Sequence, residues 1–302
     1  MSSLRGRRVF TQTNITLYLM FLPAFLFFLI FAYLPMPGIL IAFADYRVSG
    51  FKKWVGLENF RYIFQLPFFW EAFGNTWRFV ILRYLFTFPA PILFALLLNE
   101  VRLKAFQKTV QTVSTLPHFI SWVVIAGIWS TILSPNSGYV NNVIKALGGT
   151  PIFFFSKPSL FPWLFTGISV WKEVGYSTII YLAALAGINP ELYESAVIDG
   201  AGRFKQSLYI TLPGLAQTIL VVFVLSFSGV LNLFEPIYVL QNQMIISTSE
   251  VLDTYTYKLG IVQAKYPLAT AVGFFKSTIA LVLVLAANFV SRHVTEDKQS
   301  IL

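Results

Sequence analysis

Apolar residues in this chain gather into long unbroken runs rather than into the alternating or striped patterns of a water-soluble protein. Six runs stand out, at residues 17–43, 76–98, 116–133, 160–186, 215–240 and 268–290. A helix needs roughly 20 apolar residues to cross a hydrocarbon core about 30 Å thick, so each run is read as a span, with 116–133 the shortest. The first run is broken by Pro23, Pro35 and Pro37 and has residues to spare, so it is expected to tilt or kink around Pro35. It is too long for a secretory signal, whose apolar centre is about 7–15 residues, and is expected to stay uncleaved. Between the first two runs, Leu57, Phe60 and Phe64 share one helical face, which predicts a short helix resting on the membrane surface. The pattern as a whole predicts an all-α, polytopic membrane protein with six transmembrane helices, a tail at 1–16 and a single domain over 17–302.

One polar interruption, residues 189–213, differs from the other loops. Asn189 suits an N-cap and Pro190 the first helical position, where a missing N–H costs nothing. Glu191 and Glu194 fall in the first turns, where the helix dipole favours negative charge. Glu191, Ser195 and Asp199 form a polar line, with Leu192, Tyr193, Ala196, Val197 and Gly200 on the opposite face. Ser195, Ala196, Gly200, Ala201 and Gly202 are small enough for another surface to approach, and Gly200 with Gly202 favours a sharp turn. A second helix is expected from Phe204 to Leu212, before Pro213.

Composition agrees with the class. Of 302 residues, 56% are hydrophobic, 17% aromatic and 12% charged, a balance foreign to soluble globules. The net charge of +9 is spread over single cations without a basic stripe interleaved with aromatics, which argues against nucleic acid. With no cysteine and only His118 and His293, disulfides, thiolate chemistry and a histidine metal site are not expected. Six spans place both termini on one side. That side would carry Arg5, Arg7, Arg8, Arg102, Lys104, Lys108, Arg203, Lys205, Arg292 and Lys298, against Arg47, Lys52, Lys53, Arg61, Lys145, Lys157, Lys258 and Lys265 on the other. The bias points to cytoplasmic termini and a cytoplasmic 189–213 loop.

Glu194-Ser195-Ala196, Asp199-Gly200-Ala201 and, nine residues after Gly200, Ile210-Thr211-Leu212-Pro213 resemble the EAA loop of ABC-importer permeases, with serine where the family usually has alanine. Tyr33-Leu34-Pro35-Met36, Ile41-Ala42-Phe43, Trp171-Lys172, Ile180-Tyr181-Leu182, Phe234-Glu235-Pro236-Ile237-Tyr238 and Asp253-Thr254-Tyr255 narrow the resemblance to the maltose-transporter type, in its complex-polysaccharide branch. The resemblance implies a type I importer fold in a bacterial inner membrane and a coupling helix docked on a cytoplasmic ATPase dimer. It implies a second homologous permease, an extracytoplasmic solute-binding protein and an oligosaccharide substrate. Glu191, Glu194, Ser195, Ala196, Asp199 and Gly200 would form the ATPase-coupling site. ATP and Mg would bind the partner, the chain itself being non-catalytic. Consistently, no G-x-x-x-x-G-K-[ST] occurs, and Gly273 to Thr278 only imitates its end within an apolar run.

Ionisable residues inside spans cost roughly 2.5–3.5 kcal/mol on insertion scales and are functional candidates by default. Here they are Arg78, Arg83, Lys172, Glu173, Glu235 and Lys276. Arg78 is near enough to a span end to snorkel, whereas Arg83 is deeper. Lys172 and Glu173 point about 100° apart on a helix, so each needs a partner elsewhere, with Glu235 the candidate for Lys172. Trp171, Lys172, Tyr176, Asn232 and Glu235 are expected to line a substrate path, because aromatic faces stack on sugars while amides and charges bond hydroxyls. The alternative is that these charges and aromatics only hold helices together. An ion-coupled secondary transporter would need its own ion site, and often a repeat, neither of which is visible. A membrane-embedded enzyme would need a histidine cluster, a G-x-S-x-G or a metal constellation, also not visible. The outer loops carry eight cations, named above, against Asp45, Glu58, Glu71, Glu250 and Asp253, an excess that permits an acidic oligosaccharide.

Overall fold

The structure, a computed structural model, describes residues 12–294, with side-chain environments from 15 to 289. Arg5, Arg7, Arg8 and Lys298 lie outside the described residues, as does the side chain of Arg292. Helix α1 (Gln12–Phe28) continues through a π-turn at Leu29–Tyr33 and a 3-10 segment at Met36–Phe43, the change of helix type falling at the Pro35 and Pro37 expected to kink it. Every described side chain from Ile15 to Leu40 is exposed, so this helix stands off the rest of the chain.

A hairpin of β1 (Ala44–Arg47) and β2 (Gly50–Trp54) follows, an element the hydropathy pattern did not foretell. Its turn uses Gly50 at φ +103°, and Asn59 Nδ2 ties it down by donating to the carbonyls of Ala42 (2.9 Å) and Ala44 (3.1 Å). Helix α2 (Glu58–Gln65) is the expected short helix, but it buries Phe60 and Ile63 in the chain's own core and leaves Leu57 exposed. Helix α3 (Pro67–Leu82), a π-turn at Arg83–Thr87 and α4 (Pro89–Asn99) form one 33-residue rod that starts before the expected residue 76. Asn75 and Thr76, polar in sequence, lie inside it because both have distant partners. Asn75 Nδ2 donates to the carbonyls of Ser247 (2.9 Å) and Glu250 (3.0 Å), and Leu252 N donates to Thr76 Oγ1 (3.0 Å).

The expected span 116–133 is divided. Amphipathic α5 (Lys104–Thr115) runs into a 3-10 turn at Leu116–Phe119 and then bends by 108° into α6 (Trp122–Ile132). Pro117 cannot donate to the helix ladder, and Ser121 restarts it as an N-cap whose hydroxyl accepts from Val124 N. At 11 residues α6 reaches only about 16 Å. After α7 (Tyr139–Ala146), α8 (Phe161–Leu185) runs 25 residues, about 37 Å, with Lys172 and Glu173 near its middle.

The polar loop contains α9 (Pro190–Ile198) and α10 (Arg203–Gln206). A π-turn at Ser207–Thr211 then leads into α11 (Leu212–Ser226). The expected span 215–240 does not continue past Gly229. The chain leaves helical geometry and resumes as α12 (Phe234–Leu240), because Leu233 N donates to Asp253 Oδ2 (2.8 Å) instead of to a helical carbonyl. Short helices α13 (Ile246–Ser249) and α14 (Leu252–Tyr257) precede α15 (Tyr266–Val294). Among the described residues, four helices are long and apolar enough to cross a membrane, or five if the bent α5–α6 pair is one span. Helix α8 has the length but a charged middle, and this is where the six-span expectation and the structure part.

Four clusters hold the bundle among the described residues, one of them small, where Val80 packs on Val230 and Leu231. Phe60, Ile63, Phe69, Tyr255 and Val272 pack α2, α3, α14 and α15 at the hairpin end. Phe79, Phe165, Ile237 and Val251 join α3, α8 and α12. Ile92, Tyr181 and Leu215 join α4, α8 and α11 toward the other end. At Gly175 the backbone of α8 meets that of α5 so closely that a Cβ would stand 2.2 Å from the carbonyl of Ser114, so this seam requires a glycine.

Candidate coupling and cavity sites

Helix α9 is closed by local chemistry at both ends. Asn189 Oδ1 accepts from Glu191 N (3.1 Å), and Asn189 Nδ2 donates to Glu191 Oε2 (3.2 Å). At the far end Gly200 adopts φ +78°, and the amides of Gly200 and Ala201 donate to Val197 (3.1 Å) and Ala196 (2.8 Å), the paired closure of a left-handed helix end. Glu191 is thus occupied in capping. Ser195 Oγ donates back to the Glu191 carbonyl (2.9 Å), so this hydroxyl is spent within the helix. Glu194 and Asp199 are exposed and form none of the ion pairs among the described residues. Ala196 is half-buried, while Leu192, Val197, Ile198 and Phe204 are exposed, giving an apolar tip beside two free carboxylates.

Two contacts fix this tip to the bundle and a third braces it internally. Tyr193 Oη and Thr211 Oγ1 lie 3.0 Å apart, joining α9 to the π-turn at the foot of α11. Arg203 Nη1 donates to Glu100 Oε2 (3.2 Å) at the end of α4. Gln206 Nε2 donates to the Ala201 carbonyl (2.8 Å), bracing the turn itself. Helix α9 is thus tied to α11 through Tyr193, and α10 to the end of α4 through Arg203; both α4 and α11 reach the cavity described next.

That cavity has a volume of about 670 Å³ and opens between α3, α8, α11 and the break before α12. Asn232 and Glu235 are among the residues that line it. Trp171, Lys172 and Tyr176 are not among its lining residues. Trp171 lies edge-on to Trp129 at 5.7 Å, and Tyr176 stacks flat on His118 at 3.8 Å. Lys172 is buried and has no contact with Glu235. Its ammonium donates to the carbonyls of His118 (2.6 Å), Ile120 (2.8 Å) and Pro117 (3.4 Å) and lies 5.6 Å from the Trp122 ring. The partners found for Lys172 are thus not a carboxylate but backbone carbonyls at the α5–α6 bend, where the helix ladder is interrupted. Glu173 turns the other way, lines the cavity and accepts from or pairs with His118 Nδ1 at 3.0 Å.

Across the cavity, Lys276 pairs with Asp253 and donates to Asn232 Oδ1 (3.1 Å). Asp253 also receives Leu233 N, so one carboxylate both neutralises a cation of α15 and holds the break before α12. Sequence reasoning flagged Lys276 as a charge inside a span but did not find Asp253 as its partner. The available signal was that an intramembrane lysine needs a counter-charge, and Asp253 is one of few acids nearby in the chain. Serines 169 and 177 of α8 and Ser226 of α11 add hydroxyls to the same wall. The arrangement offers donors, acceptors and aromatic edges around an open space, the chemistry of a polyhydroxylated ligand.

Comparison with known proteins is consistent with this geometry. Residues 92–296 match the family model of the binding-protein-dependent transport system inner membrane component. Protein LplB of Bacillus subtilis (strain 168) is 42% identical over 285 residues, covering 93% of this chain and 90% of that protein. The polygalacturonan/rhamnogalacturonan transport system permease protein YteP of the same organism is also 42% identical, covering 93% and 89%. Among solved structures, a chain of a bacterial ABC transporter involved in the import of the acidic polysaccharide alginate superposes with a TM-score of 0.89 at 42% identity. That match covers 94% of this chain and 98% of the other. The sequence family, the relatives and the fold agree, and the chain belongs to the inner membrane permease components of binding-protein-dependent transport systems.

Proposed function

We propose that the chain is one of two homologous permease subunits of an ATP-driven oligosaccharide importer in a bacterial inner membrane, with both termini cytoplasmic. An extracytoplasmic solute-binding protein delivers the sugar. Support comes from a second similar solved structure, a bacterial alginate ABC transporter in complex with an alginate pentasaccharide-bound periplasmic protein. ATP and Mg are bound by a separate cytoplasmic ATPase dimer, and this chain contributes no catalytic group. The ATPase receives α9 through Glu194, Asp199 and the exposed apolar tip. Glu191, Ser195, Ala196 and Gly200 shape and present that surface. The sugar passes through the cavity beside Asn232 and Glu235, while Trp171, Lys172 and Tyr176 hold the wall behind it.

The observation that carries this reading is a capped, exposed helix whose Glu194 takes part in no ion pair among the described residues, in a loop tied through Tyr193 to α11 and through Arg203 to α4, two of the helices around a polar cavity. An acid in a first turn can also simply stabilise its own helix, an effect of about 0.3–1 kcal/mol. Glu194→Ala separates the two roles. In the assembled complex, sugar-stimulated ATP hydrolysis is expected to fall by roughly ten- to a hundredfold, in line with loss of a charged contact of about 1.5–3 kcal/mol, while the thermal midpoint barely moves. Unchanged stimulation would remove Glu194 from the coupling surface.

A further inference from the structure

Five charged side chains line the cavity, and three of them have side-chain partners within the chain: Lys276 and Asp253 pair with each other, and Glu173 contacts His118 Nδ1. The other two, Arg83 and Glu235, take part in none of the ion pairs among the described residues. Their situations differ. Glu235 lies in the first turn of α12, where the free amides and the helix dipole favour a negative charge. Arg83 has no such compensation, because it is in the middle of the continuous Pro67–Asn99 rod.

The local backbone is built to keep Arg83 where it is. Its carbonyl accepts from Phe88 N (2.8 Å) across the π-turn, an irregularity that re-aims the residues around it and recurs at functional sites. The next residue is anchored, since Tyr84 Oη and Ser226 Oγ are 2.9 Å apart and the Tyr84 ring stacks on Phe227 at 5.1 Å. A guanidinium held deep in a span without a counter-ion is costly, and its fork matches a carboxylate through two parallel hydrogen bonds.

We infer that Arg83 is the anion-recognising residue of the transport cavity and that the cargo is a sugar of the uronic-acid class, whose carboxylate supplies the missing counter-charge. Glu235 and the α8 serines Ser169 and Ser177 serve the hydroxyls of the same sugar. The inference rests on the reading of this cavity as the sugar path.

The test is uptake by the assembled importer in proteoliposomes, with its binding protein, of trigalacturonate and of its uncharged methyl ester. Wild type is expected to import the acid. Arg83→Gln should raise the KM for trigalacturonate tenfold or more and leave uptake of the ester within twofold of wild type. Arg83→Lys, which keeps the charge but not the fork, should fall between. Equal effects on both probes, or none, overturn the assignment of Arg83, as does import of the ester alone by the wild type. Failure of Arg83→Gln to assemble with the ATPase while Arg83→Lys assembles but handles both probes alike assigns Arg83 to the subunit interface instead, and also overturns it. Failure of the wild-type complex to hydrolyse ATP in response to any sugar-loaded binding protein is a different result, and it contradicts the importer reading itself.

Discussion

Lys172→Met is expected to lower the stability of the folded chain by about 3 kcal/mol, read as a large drop in thermal midpoint in detergent. The substitution is close to isosteric, so packing against Trp122 is largely kept. What is lost is the donor to three carbonyls at the α5–α6 bend. The Pro117 carbonyl still accepts from Ile120 N (3.2 Å), but those of His118 and Ile120 lose this donor, and a carbonyl left without a partner in a buried position costs about 1–3 kcal/mol. Glu235→Ala provides the contrast. Glu235 is exposed to the cavity and forms no ion pair among the described residues, so its removal should leave the thermal midpoint within the range of surface substitutions while reducing uptake. If Lys172→Met proved as stable as wild type but lost sugar affinity, Lys172 would belong to the substrate path after all.

Gly200→Val is expected to uncouple the transporter. The residue stands at φ +78°, a region that costs a side-chain-bearing residue about 1–2 kcal/mol and a β-branched one more. No atom lies within 4 Å of where its Cβ would be, so the penalty is conformational and falls on the closure of α9 alone. A shift of that size changes the population of the correct helix end by a factor of about 5–30. Uptake and the sugar-stimulated part of ATP hydrolysis should fall by a comparable factor, with the basal hydrolysis of the complex retained. Loss of basal hydrolysis as well would indicate a failure of assembly rather than of coupling.

How much of this was legible beforehand depends on the range of the interactions involved. The ends of α9 follow from residues within a few positions of one another: Asn189 with Glu191, and Gly200 with Ala201 and Ala196. Such caps can be read from sequence. The bend before α6 was also marked, by Pro117 and Ser121, though the apolar run concealed it. The break between α11 and α12 left no trace in hydropathy, since Val230, Leu231 and Leu233 are apolar and buried, and the group that opens the helix there is Asp253, twenty residues on. Lys172 was misplaced for the same reason. Its partners lie more than fifty residues away and are backbone carbonyls, which no side-chain pattern reveals. Arg83 could be recognised as a charge deep in a span, but that it lines a cavity and lacks a carboxylate required the positions of α8, α12 and α15.

The central claim is that ATP-driven motion enters the chain through α9 and reaches the cavity through α4 and α11. Because the sequence contains no cysteine, Glu194→Cys introduces a single reactive thiol at the proposed contact. Treatment of membranes containing the full complex with a short thiol-to-amine cross-linker should join this chain to the ATPase subunit, and nucleotide binding should change the yield. A thiol at Glu194 that reacts freely with a soluble maleimide in the assembled complex, yet cross-links to no ATPase in any nucleotide state, would contradict the account.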